Sequence, residues 1–169
     1  MLLTIFHSAT GALHLLSALT AMVLGASVLL INKGTRRHKQ VGYGYVMAMI
    51  LVNVTAFMIC HLYGAFGPFH IAALFSGVSI AGGMVPVFFR RRISSWLHYH
   101  YFFMNWSVVG LYAAFWAETL VRLFPMKQFW PVVVLATSLT TGIGSYLINR
   151  NKTRLLRTNT VATGTSLLS

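Results

Sequence analysis

The chain has 169 residues, 57% of them apolar and only 8% charged, with thirteen Lys and Arg against a single acid, Glu118. That composition excludes a soluble globular domain. Because the bases cluster in short links between long apolar runs, it speaks for membrane orientation and against nucleic-acid binding.

Five apolar segments follow one another, over residues 3–31, 41–63, 69–89, 97–124 and 129–148. Each is long enough to cross roughly 30 Å of hydrocarbon at about 1.5 Å per residue. Segment one has no Lys or Arg before Lys33, so it lacks the basic leader of a cleavable signal and reads as a retained helix. Pro68 and Pro131 suit the first turns of segments three and five. Pro125 closes segment four, and Pro86 lies inside segment three, where it kinks the helix near its inner end. The pattern predicts an all-α membrane protein of five transmembrane helices. Residues 1–149 form one domain, with helices one to four as a core bundle and the fifth peripheral. Residues 150–169 form a basic, then polar, flexible cytoplasmic tail. The one cysteine, Cys60, allows no internal disulfide.

The links carry the orientation. Lys33, Arg36, Arg37 and Lys39 follow segment one, Arg90, Arg91 and Arg92 follow segment three, and Arg150, Lys152, Arg154 and Arg157 follow segment five. The other face has only Arg122 and Lys127. The excess of bases places the N-terminus outside and the C-terminus in the cytoplasm, which for a bacterial chain means the inner membrane.

Seven histidines are the chemistry-bearing residues. His7, His38, His70 and the pair His98/His100 recur about every thirty residues, one membrane crossing plus a turn. They therefore fall at alternate faces: His7, His14, His61 and His70 toward the outer one, His38, His98 and His100 toward the inner one. His7 and His14 share one helical stripe, and His98 and His100 point apart, so one of the latter two faces the bundle centre. Alternate helices then pair His7 or His14 with His70, and His38 with His98 or His100. Imidazoles facing each other across a bundle suit a planar porphyrin clamped at its iron. Gly11, Gly25, Gly77, Gly82, Gly83 and Gly110, with Ala114 and Ala117, admit either a ring face or a neighbouring helix. Asn53 and Asn105 lie mid-membrane, placed to bond each other or a cofactor edge. Trp96, Tyr99, Tyr101, Phe102 and Phe103 read as an interfacial belt, Trp106 and Trp116 as packing residues.

Lys33-Gly34-Thr35-Arg36-Arg37-His38, with Gly42 four residues on, resembles the opening of a core helix in the transmembrane b-type cytochromes that use ascorbate. Those proteins also repeat histidine through four consecutive helices, and the likeness extends over roughly residues 7 to 124. It implies two b-type haems ligated by His7 or His14, His38, His70, and His98 or His100. Lys33 and Arg37 would then meet propionates or an anionic donor. The stretches His38-Lys39-Gln40-Val41-Gly42-Tyr43-Gly44-Tyr45, Gly67-Pro68-Phe69-His70 and His98-Tyr99-His100 through Glu118 more closely resemble a family of small bacterial membrane proteins of unknown function.

The expected function is transmembrane electron transfer, a possible oxidoreductase activity, between a small-molecule or protein donor and an acceptor, with a homo-oligomer or partner subunit open. Two alternatives stand beside it. One is a Zn, Fe or Cu site at the outer face from His7, His61, His70 and Glu118, serving an oxidase, a hydrolase or a metal carrier; Glu118 also sits four residues before Arg122, where it would form an ion pair. The other is an accessory membrane protein with no cofactor.

Overall fold

Each apolar run of the sequence folds as an α-helix, the form in which a segment satisfies its own backbone hydrogen bonds without water. The structure, a computed structural model, describes residues 9–63 and 68–165, with side chains for 9–59, 70–125 and 127–151. In chain order these are α1 (Ala9–Leu30), α2 (Arg36–Tyr63), α3 (Pro68–Phe88), α4 (Trp96–Val121), a 3-10 turn (Met126–Gln128) and α5 (Phe129–Thr165).

The helices run up and down. Helix α1 packs on α2, α2 on α3, α3 on α4, and α4 closes the ring on α1; α5 packs against α4 from outside. Helices α2 and α4 therefore face each other across a diagonal, as do α1 and α3. The core-plus-fifth-helix arrangement is the one expected.

Among the described residues, four helices contain stretches long and apolar enough to cross a bilayer: Ala9–Leu30, Arg36–Ile59, His70–Phe88 and Phe129–Asn151. Helix α4 has 26 residues, but His98, His100, Asn105 and Glu118 lower its apolarity. The packing gives the reason: α4 contacts α1, α3 and α5, so little of its surface has to meet lipid. The remaining helices turn large apolar residues outward. Leu16, Val23, Phe75 and Leu135 are each at least 65% exposed, an arrangement suited to hydrocarbon and unfavourable in water.

Between the helices the core is tight. Ala21, Tyr45 and Met49 are essentially sealed, joined by Ile80, Val108 and Leu111. The glycines serve this packing. A Cβ on Gly25 would come 3.0 Å from the Tyr45 ring, one on Gly82 2.9 Å from Phe103, and one on Gly83 2.6 Å from Met104 Sδ. These slots are filled by neighbouring side chains, so of the two readings of the small residues the helix-packing one holds at Gly25, Gly82 and Gly83. Trp116, expected as a packing residue, is 47% exposed.

Within the described residues, two helix boundaries differ from expectation by five residues or more. Helix α2 begins at Arg36, five residues early, because Thr35 caps it: the His38 backbone N–H donates to Thr35 Oγ1 at 3.2 Å. His38 thus belongs to a helix rather than a basic loop. Helix α5 continues to Thr165, so the stretch read as a flexible tail begins helical; Lys152, Arg154, Leu155, Leu156 and Arg157 are good helix formers, and no proline interrupts them.

Candidate functional site

The α1–α2 turn builds one side of the site. Gly34 takes a left-handed φ of 79°, which reverses the chain between Lys33 and the Thr35 cap. Lys33 folds back over α1, its Nζ donating to the Val28 carbonyl at 2.7 Å and the Leu29 carbonyl at 2.8 Å. These are among the unpaired acceptors at a helix C-terminus, where a cation is favoured. Partial burial of the ammonium lowers the Lys33 pKa below its ordinary value. Lys33 and His100 both lie within electrostatic reach of His38. Arg37 is exposed in the first turn of α2.

The α3–α4 hairpin builds the other side. Pro86 cannot donate to the Gly82 carbonyl one turn back and crowds that turn of α3. The next carbonyl, Gly83, accepts a hydrogen bond from His100 Nδ1 at 2.9 Å. A carbonyl only accepts, so Nδ1 carries the proton and Nε2 keeps its lone pair, the tautomer of a histidine set to ligate.

His38 and His100 meet across the α2–α4 diagonal, ring centres 6.4 Å apart and planes at 87°. Among the described residues His38 Nδ1 is buried and has no hydrogen-bond partner, so this nitrogen is left open to a ligand. The structure thus brings together one of the two inner pairings left open by the sequence. His98 is exposed, with its ring edge-on to Tyr99.

At the opposite end two histidines have described side chains, His14 and His70. His14 on α1 donates from Nδ1 to Thr55 Oγ1 at 2.9 Å; the direction follows because the Thr55 hydroxyl donates to the Leu51 carbonyl at 2.6 Å. His70 lies by the Phe57 ring, centres 6.5 Å apart. Glu118 is ion-paired with Arg122 on the exposed side of α4, and both lie within electrostatic reach of His14. His7 and the His61 side chain lie outside the described residues. Among the described residues no three His, Cys, Asp or Glu side chains gather to hold a metal ion. Asn105 bonds the Tyr101 carbonyl of its own helix at 2.6 Å rather than Asn53.

One relationship escaped the sequence reading. Tyr45 and Ser107 hydrogen-bond in the core, each seven residues beyond a member of the His38–His100 pair. The matching offset on α2 and α4 is the signal that would have found it, since positions seven apart share a helix face.

Residues 11–151 match a family described as "Predicted membrane protein (DUF2306)". No curated protein and no solved structure matches the chain.

Proposed function

The chain belongs to this family of predicted membrane proteins, and on that premise we propose that it is a transmembrane electron carrier of the b-type cytochrome kind, with haem b held between His38 and His100. The observation that carries the reading is the diagonal histidine pair, 6.4 Å between ring centres. Two imidazoles on opposite sides of one metal have centres about 6 Å apart, given metal–nitrogen bonds of about 2.0 Å and the distance from each nitrogen to its ring centre.

The donor set favours a porphyrin over a bare ion. A protein-bound Zn or Fe ion draws three or four ligands from side chains, whereas this site offers two and a porphyrin brings four nitrogens of its own. His100 is oriented by the Gly83 carbonyl, and His38 Nδ1 is a buried nitrogen without a hydrogen-bond partner among the described residues. Lys33, with Arg36 and Arg37 beside it in sequence, supplies positive charge for propionates or for an anionic donor. A haem held there by His38 and His100 would supply one-electron exchange. In this reading the basic end faces the cytoplasm of a bacterial inner membrane and the N-terminus lies outside. The donor and acceptor are a small molecule or a partner protein.

At the other end His14 is engaged by Thr55 and His70 lies against Phe57. The site at the basic end is therefore the one proposed.

Reduced-minus-oxidised absorbance of the purified protein tests it. The expected result is a b-type difference spectrum that His38→Ala and His100→Ala each abolish and His98→Ala retains. A protein that stays colourless after haem supply overturns the reading and leaves an accessory membrane protein.

A further inference from the structure

A groove of about 180 Å³ lies between α4 and α5, lined by His98, Tyr101, Phe102 and Trp106 on one side and Ser145, Ile148 and Asn149 on the other. We propose that it is a binding site for the glycerol-phosphate region of an anionic phospholipid. The proposal does not depend on haem.

The lining is graded along the helices. His98 and Asn149 stand toward the end that carries most of the chain's bases, while Trp106 lies about 12 Å deeper along α4, eight residues at about 1.5 Å each. An amphiphile whose polar part is at the interface and whose chains run inward fits that order. Tyr101 donates its hydroxyl to the Ile148 carbonyl at 3.1 Å, tying the two walls together so that the phenol serves as wall rather than as ligand. The other tie is steric: a Cβ on Gly144 would come 2.5 Å from Val109 Cγ2, so α5 sits close against α4 one stretch below the groove.

Charge selects the headgroup. Arg150 follows Asn149, and Arg90, Arg91 and Arg92 lie in the turn leading to α4, all exposed. The chain's single acidic side chain, Glu118, is near the far end of α4 and is paired with Arg122, so no carboxylate side chain competes for these cations. Exposed bases flanking a recess between membrane helices attract anionic headgroups to it, and the volume admits a phosphate with its glycerol. His98, left out of the histidine pair, thereby gains a place as a hydrogen-bonding group at the groove's rim.

Tryptophan quenching tests the site. With Trp96, Trp116 and Trp130 replaced by Phe, Trp106 reports on the groove in vesicles of phosphatidylcholine doped with brominated phosphatidylglycerol or brominated phosphatidylcholine. The brominated phosphatidylglycerol is expected to reach half-quenching at a several-fold lower mole fraction, and Arg150→Gln with Asn149→Leu to remove the difference. Equal quenching by the two lipids overturns the proposal. The unmodified protein gives a second reading that needs no triple variant. Phospholipid extracted with it is expected to exceed the surrounding membrane in phosphatidylglycerol content, and a ratio equal to that membrane overturns the proposal as well.

Discussion

Tyr45 on α2 hydrogen-bonds Ser107 on α4 inside the sealed core, two helical turns beyond the point where His38 and His100 face each other. Both contacts bridge the same diagonal. The lower one fixes how far α2 stands from α4, and Gly25 makes room for it by letting the Tyr45 ring lie against the backbone of α1. A change in the Tyr45–Ser107 strut therefore alters the spacing of the histidines above it.

The strut yields a double-mutant prediction. Ser107→Ala leaves the buried Tyr45 hydroxyl without a partner and is expected to cost about 1–3 kcal/mol. Tyr45→Phe strands the smaller Ser107 hydroxyl and costs about 1 kcal/mol. The double variant, with both polar atoms gone, is expected to be less destabilised than the two single costs added together. Thermal unfolding in detergent measures all four; strict additivity would show that the two hydroxyls are not coupled.

Glycine substitutions separate stiff contacts from yielding ones. At Gly144 the added methyl meets Val109 through Cγ1, Cγ2 and Cβ, and a β-branched side chain has few rotamers to retreat into. Gly144→Ala is expected to cost about 1–3 kcal/mol by overpacking. Gly83→Ala meets Met104 mainly at Sδ and Cγ, an adaptable side chain, and costs less. Gly110 has nothing within 4 Å of an added Cβ, so Gly110→Ala stays within about 1 kcal/mol of the parent and gains from helix propensity. Unfolding temperatures of the three variants check the order, and a larger loss in Gly110→Ala than in Gly144→Ala contradicts the packing described.

Helix number and the two ends of the bundle were legible because long apolar runs and clustered arginines are strong, redundant signals. The histidine partner was half legible. Two positions two residues apart on a helix point different ways, yet nothing local says which one turns inward; the Gly83 carbonyl beside Pro86 decides for His100. The start of α2 was present in the sequence as Thr35, a capping residue hidden among the bases. The Tyr45–Ser107 bridge stayed unread because an apolar helix offers no polar face to mark the core side, and a lone Tyr or Ser carries little signal by itself. The outer set of histidines was the least legible. His14 finds a threonine on the neighbouring helix, and no pattern of spacing predicts so local a bond.

The α1–α2 turn is expected to be sensitive at two adjacent residues for different reasons. Gly34→Ala forces a side chain into the left-handed region at φ 79° and costs about 1 kcal/mol. Thr35→Ala removes the acceptor of the His38 N–H and costs about 1 kcal/mol as a lost cap. Thr35→Ser restores the oxygen and most of the stability. Unfolding temperature is the readout; a Thr35→Ser variant as unstable as Thr35→Ala would rule out capping as the cause.

Lys33 makes stability depend on pH in the alkaline range. Burial lowers its folded pKa below the ordinary 10.5, so between that folded value and 10.5 the unfolded chain binds more protons than the folded one. Stability attributable to Lys33 then rises as pH increases through this window, and below it the full cost of holding the ammonium against α1 is present. Lys33→Met removes that rise. It also removes the two bonds to the Val28 and Leu29 carbonyls, so the variant is expected to be less stable where the lost caps outweigh the relieved desolvation. The difference between parent and variant is the quantity to measure, by thermal unfolding from about pH 8 to 10.5, since the remaining lysines and tyrosines titrate in both. A parent-minus-variant difference that is flat across this range would mean that the Lys33 ammonium is solvated as fully in the folded chain as in the unfolded one.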